Sequence, residues 1–122
     1  MNDQALLNIR GFRSGRPFDR KHYKHWGRDL RGVVTDDQYL ELAQKVGSQA
    51  ARELPGTHVA RRGNNNLIVY AATPMTNAHS NNCDGGVFMV VEDHGGQGFV
   101  ITLFAPDEGL DYFYKPDQRL LI

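Results

Sequence analysis

The chain has 122 residues, of which 40% are hydrophobic, 10% aromatic and 23% charged, and its formal net charge is zero. That size allows a single core. No apolar run approaches the roughly 18 residues that cross a bilayer, the start MNDQALLNIR has no apolar signal-peptide centre, and the single cysteine, Cys83, excludes an internal disulfide.

The zero total conceals an uneven distribution. Residues 10 to 31 carry Arg10, Arg13, Arg16, Arg20, Lys21, Lys24, Arg28 and Arg31 against Asp19 and Asp29 only. Residues 84 to 117 reverse the sign, with Asp84, Glu92, Asp93, Asp107, Glu108, Asp111 and Asp117 against Lys115. A field with this direction attracts a polyanion to its basic end, unless the two segments neutralise each other across the fold.

In chain order, Gly11, Gly15 and Pro17 punctuate residues 1 to 17, which read as an arm or short helix followed by a loop. The domain proper is expected over 18 to 122. Asp19 is placed to cap a helix over 19 to 27, with Gly27 or Gly32 as its stop. A stronger signal starts at Thr35, where TDDQ is a capping box with Gln38 in the third helical position. Behind it Tyr39, Leu42, Ala43, Val46 and Ala50 recur at three and four residues, which predicts a helix over 36 to 53 with Arg52 in its last turn.

The period then shortens. THVARR (57 to 62) and LIVYAA (67 to 72) read as strands joined by the turn GNNN, and a polar loop follows. GVFMVVE (86 to 92) and FVITLFA (99 to 105) are further strands around the turn HGGQG, and DYFYK (111 to 115) is a short fifth. Helices followed by strands predict an α+β domain: N-terminal helices on one face of a four- to five-stranded antiparallel sheet.

Several residues suit chemistry on phosphate. His22 and His25 are three apart and share a helical face, Arg28 continues that side, and Lys21 and Lys24 repeat the offset beside it. Cleavage of RNA without metal needs a base for the 2′-hydroxyl, an acid for the leaving oxygen and cations for the phosphorus centre. Imidazole serves both proton transfers. The bland account of the same residues is a solvated basic helix packed through its stem.

Arg61 and Arg62 end a strand with side chains on opposite faces, and either guanidinium suits a phosphate clamp. Thr102 is mid-strand, grouped by simple alternation with Val100 and Phe104 and opposite Phe99, Ile101 and Leu103. Its hydroxyl is a candidate phosphate ligand. Tyr70, Tyr112 and Tyr114 read as packing aromatics, any of which could stack a base. His58, His79 and His94 carry less weight, His94 because it borders a hairpin turn. A zinc set from His22, His25, His79 and Cys83 is conceivable, but the chain lacks His-Glu-x-x-His and paired Cys-x-x-Cys motifs, so neither a metal nor another cofactor is expected.

In order, HYKHWGRDL, VTDDQYLELAQK, RRGNNNLIVYAAT, GVFMVVED and FVITLFAPDEGLDYFY resemble the barnase, EndoU, colicin and RelE superfamily of small nuclease toxins. Toxins of this type pair a K-H-G helix with a T-x-x-x-Y-L-x-x-A helix, followed by an antiparallel sheet ending near I-x-T-x-[FY]-x-P. The resemblance covers residues 18 to 115. It matches His25 to the family histidine, Arg61 or Arg62 to the strand arginine, Thr102 to the late hydroxyl and Pro106 to the proline after it. The chain departs from the pattern in placing Trp26 between His25 and Gly27, and in the lengths of the loop from Thr73 to Gly86 and the turn before Thr102.

The resemblance implies a metal-independent toxin endoribonuclease acting on tRNA or another structured RNA. His22, His25, Arg62 and Thr102 would be catalytic. Lys21, Lys24, Arg28, Arg61, Tyr70 and Tyr112 would bind RNA. It further implies the C-terminal part of a larger protein, delivered into the cytoplasm of a target cell and neutralised in the producer by a cognate immunity protein. The alternatives are a non-catalytic RNA-binding module and a DNase of the same delivery class.

Overall fold

A computed structural model describes residues 4–13, 30–33, 35–63 and 65–114. The helix expected over 19 to 27, and with it Lys21, His22, Lys24, His25 and Arg28, lies outside the described residues. The elements are α1 (Gln4–Leu7), β1 (Ile9–Phe12), α2 (Asp36–Ala51), β2 (Thr57–Arg62), β3 (Asn66–Ala71), α3 (Pro74–Asn77), β4 (Val87–His94), β5 (Gln97–Phe104) and a 3-10 helix over Gly109–Tyr114. The strands form one five-stranded sheet in the order β1-β5-β4-β3-β2. The domain is α+β as expected, but the sheet is mixed: β1 runs parallel to β5 and the other pairs are antiparallel.

β2 and β3 pair by a local turn, as do β4 and β5, so their apolar alternation is readable from the chain. β1 is different. Its four residues, IRGF, are too few to show a period, and its partner lies far along the chain. Residues 4 to 12, expected as part of an arm, supply Ala5, Leu6 and Ile9 to the core. Two glycines seat them. A Cβ at Gly47 of α2 would stand 2.5 Å from the Leu6 carbonyl oxygen, and one at Gly98 of β5 would collide with that of Ala5.

α2 forms where its stripe predicted. The Thr35 side chain accepts from the Gln38 N–H, and the Gln38 side chain accepts from the Thr35 N–H. Tyr39, Leu42, Val46 and Ala50 are buried against Leu67, Val69, Met89 and Val91 of the sheet. Burying each large side chain of this kind stabilises by about 1.5–3 kcal/mol. The Tyr39 hydroxyl donates to the Leu103 carbonyl at 2.8 Å, and Phe12 stacks on its ring with centroids 5.1 Å apart.

The helix ends slightly earlier than its sequence pattern suggested. Arg52 is its C-cap, outside the last turn, and its guanidinium donates back to the Ser48 hydroxyl at 2.9 Å. Glu53 follows at φ +56, with its N–H on the Ala50 carbonyl and the Leu54 N–H on the Gln49 carbonyl. This pair of bonds is a Schellman motif, whose left-handed position usually falls to glycine.

The opposite face of the sheet carries a second apolar cluster of Ile68, Tyr70, Phe88 and Val90, with Phe113 against it. The stretch expected as a fifth strand is the 3-10 helix. Tyr112 meets Phe88 at 4.9 Å and Phe104 at 5.3 Å, while Phe113 meets His58 at 5.9 Å. Two successive side chains thus reach the same sheet face, which a strand would point apart. The Asp84 carboxylate anchors the turn by accepting the Leu110 N–H at 2.9 Å.

Candidate functional site

The site is built on the β4–β5 hairpin. Gly95 and Gly96 both have positive φ, +62 and +92, giving the two-residue turn that suits the natural strand twist. Pairing runs from His94 opposite Gln97 to Val91 opposite Val100, then slips by one, so that Val90 faces Thr102 and Ile101 is the extra residue. This β-bulge changes the inside-outside pattern of β5. Val100 and Leu103 belong to the α2-side core, whereas Ile101 and Phe104 join the cluster on the other face. Thr102, paired with Val90, shares that second face. Simple alternation had grouped Thr102 with Val100 and opposite Phe99; the bulge corrects this and brings Thr102 to the face of Phe99.

Across the same face runs a cross-strand row. Arg62 pairs with Asn66, Asn66 with Glu92, and Glu92 with Phe99. Directly paired residues present their side chains on one face. Glu92 is the centre of the row. Its Oε2 lies 3.6 Å from Nη1 of Arg13, just beyond β1, and its Oε1 contacts Nε2 of His94. The His94 ring also meets Phe99 edge-on at 5.3 Å. Glu92 is only 20% exposed, but Arg13 and His94 are open to solvent at 47% and 56%. The strand carrying Arg62 lies two ladders from that of Glu92, about 10 Å away. A long guanidinium and a carboxylate–imidazole pair can therefore reach one phosphate from different sides.

The two expected arginines part company. Arg61 turns to the other side of β2 and stands 3.7 Å from Asp93, whereas Arg62 joins the row. Tyr70, expected to stack a base, is 1% exposed and offers no open ring face. Its hydroxyl donates to Asp84 and accepts from Nδ2 of Asn82 at 3.1 Å. Burial, and next the Asp84 hydrogen bond, push this phenol well above its ordinary range. Tyr70 is thus a fastener for the loop before β4. Tyr112 is half-buried, edge-on to Phe88 and Phe104, under the 3-10 helix.

Of the conceivable zinc ligands, His79 directs Nδ1 at the Arg31 carbonyl at 2.9 Å, and the Cys83 thiol is 3.5 Å from the Asp107 carbonyl. Among the described residues, no group of three or more His, Cys, Asp or Glu side chains could hold a metal ion. No helix among them is long and apolar enough to cross a membrane.

From sequence, Glu92 and His94 are not among the expected site residues, His94 carrying less weight, and neither are Asn66 and Arg13, the last counted only in the basic segment. For the first two a signal existed: they stand two apart at the end of VFMVVEDH, so they share a face if the strand continues through them. Arg13 had only its place in the basic segment, because its approach to Glu92 depends on β1. No family model, no curated protein and no solved structure matches the chain.

Proposed function

We propose that the protein is an endoribonuclease that needs no metal and cleaves tRNA or another structured RNA. The observation that carries this reading is the contact of Glu92 with His94 in a row that also holds Arg62, beside Arg13 and Thr102. The 2′-hydroxyl attacks phosphorus and loses its proton to a base. The 5′-oxygen leaves and takes a proton from an acid, so the products are a 2′,3′-cyclic phosphate and a 5′-hydroxyl. Arg62 and Arg13 offset the charge gathering on the phosphoryl oxygens, and Thr102 offers a hydroxyl to one of them.

In-line displacement puts nucleophile and leaving group on opposite sides of phosphorus. Glu92 and His94 touch, so they serve one side together, with Glu92 orienting the imidazole. For the other side we propose His25, with His22 as its partner and Lys21, Lys24 and Arg28 as further phosphate contacts. The uneven charge and the resemblance of the sequence to nuclease toxins support a wider setting: a delivered toxin domain acting in a target-cell cytoplasm, held inactive in the producer by an immunity protein.

The test incubates the protein with labelled RNA in EDTA and analyses product ends. Cyclic phosphate ends are expected. Binding without cleavage would leave an RNA-binding module, and a strict requirement for Mg²⁺ or cleavage of DNA alone would remove the proposal.

A further inference from the structure

The cross-strand row extends one strand further. Phe99 of β5 pairs with Glu92 on one side and with Gly11 of β1 on the other. Phe99 reaches solvent in part, yet it belongs to neither apolar cluster, whereas Ile101 and Phe104 on the same face of β5 both pack against Phe88 and its neighbours. Among the described residues the Phe99 ring meets that of His94 alone, edge-on. Its flank toward β1 carries no side chain, because Gly11 stands there. Gly11 also reaches solvent in part, and a Cβ on it would meet no described atom within 4 Å. Unlike Gly47 and Gly98 it admits no neighbouring backbone, and its φ is not positive, so neither packing nor turn geometry calls for glycine. Glycine inside a strand weakens it, and here it leaves room beside an aromatic ring. Around that ring stand the half-exposed guanidinium of Arg13, the Glu92 carboxylate and the exposed His94 imidazole.

We infer that Phe99 is a base-stacking residue, whose ring, with the bare strand at Gly11 beside it, receives the nucleobase next to the scissile phosphate. This rests on the reading of the row as a ribonucleotide site. A nucleotide joins an anionic phosphate to a flat, largely apolar base. The sheet sets a solvent-open cation, Arg13, beside a flat apolar ring in the same relation. Every base has a π-face, so a contact of this kind accepts all four and adds affinity without reading sequence. It requires a base released from the stack of its own strand, so the substrate presents an unpaired nucleotide at the cut.

The test uses the four ribonucleoside 3′-monophosphates and baseless ribose 3-phosphate, titrated calorimetrically into wild type, Phe99→Leu, Phe99→Trp and Gly11→Leu, with urea midpoints measured alongside. Wild type is expected to bind each nucleotide about tenfold more tightly than the baseless probe, the scale of one stacked base. Phe99→Trp should keep that margin and Phe99→Leu should lose it. Gly11→Leu fills the flank of the ring from the neighbouring strand and leaves Phe99 itself intact. It should lose the margin too, with a urea midpoint at or above wild type, and it decides the matter where Phe99→Leu fails to fold. The baseless probe should bind all four proteins alike. A margin that persists in Phe99→Leu and Gly11→Leu, equal loss for the baseless probe, or no nucleotide binding by wild type overturns the inference. The two readings fail separately. A Phe99-dependent margin without RNA cleavage retains this site and removes the proposed reaction, and cleavage with an unchanged margin in both variants does the reverse.

Discussion

Thr102 stands directly across from Val90, while Val100, two positions earlier, points to the other face of the sheet. The extra residue between them, Ile101, makes this possible, because two residues of β5 then oppose one step of β4. The consequence is geometric: the late-strand hydroxyl shares a face with Glu92, His94 and Arg62.

Removing Ile101 tests the arrangement. Phe99, Thr102 and Phe104 would stay on one face and Val100 and Leu103 on the other, now by plain alternation. We expect a folded protein that loses about 1–2 kcal/mol, the scale of one half-buried aliphatic side chain. A urea titration reads the loss. A chain that no longer unfolds cooperatively would mean that the bulge is essential to the sheet.

The sequence was informative where structure is local. The capping box at Thr35 and Gln38 and the stripe from Tyr39 to Ala50 located α2, because cap and period act within a few residues. The β2–β3 and β4–β5 hairpins were legible for the same reason. β1 was not, since four residues carry no period and its parallel partner is remote. The 3-10 helix was misread as a strand because Tyr112 and Phe113 are good strand formers, and only the anchor at Asp84 and the sheet beneath decide otherwise. Of the proposed site residues, Arg62, alongside Arg61, and Thr102 were suggested by residue type alone, and the face of Thr102 required the bulge. The role of Glu92 required its contacts to Arg13 and His94.

Glu53 occupies a left-handed position at φ +56 without the freedom of glycine. Left-handed backbone costs an L-residue about 1–2 kcal/mol. Glu53→Gly should therefore stabilise the protein by about 1 kcal/mol, less what glycine loses in unfolded-state entropy. A rise in urea midpoint at unchanged slope is the expected reading, and a fall would show that the Glu53 side chain contributes more than its backbone costs.

Tyr70 predicts an alkaline limit to stability. Its phenol keeps its proton in the folded state to higher pH than in the unfolded chain, through burial and the Asp84 hydrogen bond. Above about pH 10, where the unfolded phenol ionises, the unfolded state binds fewer protons than the folded one, so stability falls as pH rises. The contribution is complete below that pH. Its loss has a limiting slope of about 1.4 kcal/mol per pH unit. Tyr70→Phe should be less stable near neutrality by about 1–2 kcal/mol, for want of the hydroxyl's hydrogen bonds, and should lose less than wild type on going above pH 10. Parallel pH profiles would contradict this.

The ion pair of Arg13 with Glu92 predicts a coupling across β1, β5 and β4. Arg13 is half exposed, so its pairing contributes little to stability, on the order of 0–1 kcal/mol. Its loss should be felt in function instead. Arg13→Ala is expected to leave the urea midpoint nearly unchanged while slowing cleavage about tenfold or more through a charge withdrawn from the phosphate. A variant that cleaves at the parental rate would remove Arg13 from the site.

The central claim is cleavage of RNA by acid–base groups on this sheet face, and His94 is the point at which to test it. A fluorogenic RNA should be cut in EDTA by wild type, leaving a 2′,3′-cyclic phosphate. His94→Ala should be slower by about 10²-fold or more, the usual scale of general acid–base catalysis, with an unchanged urea midpoint. His25→Ala should show a loss of similar size. No cleavage in EDTA, or a His94→Ala variant that cuts at the wild-type rate, would contradict the account.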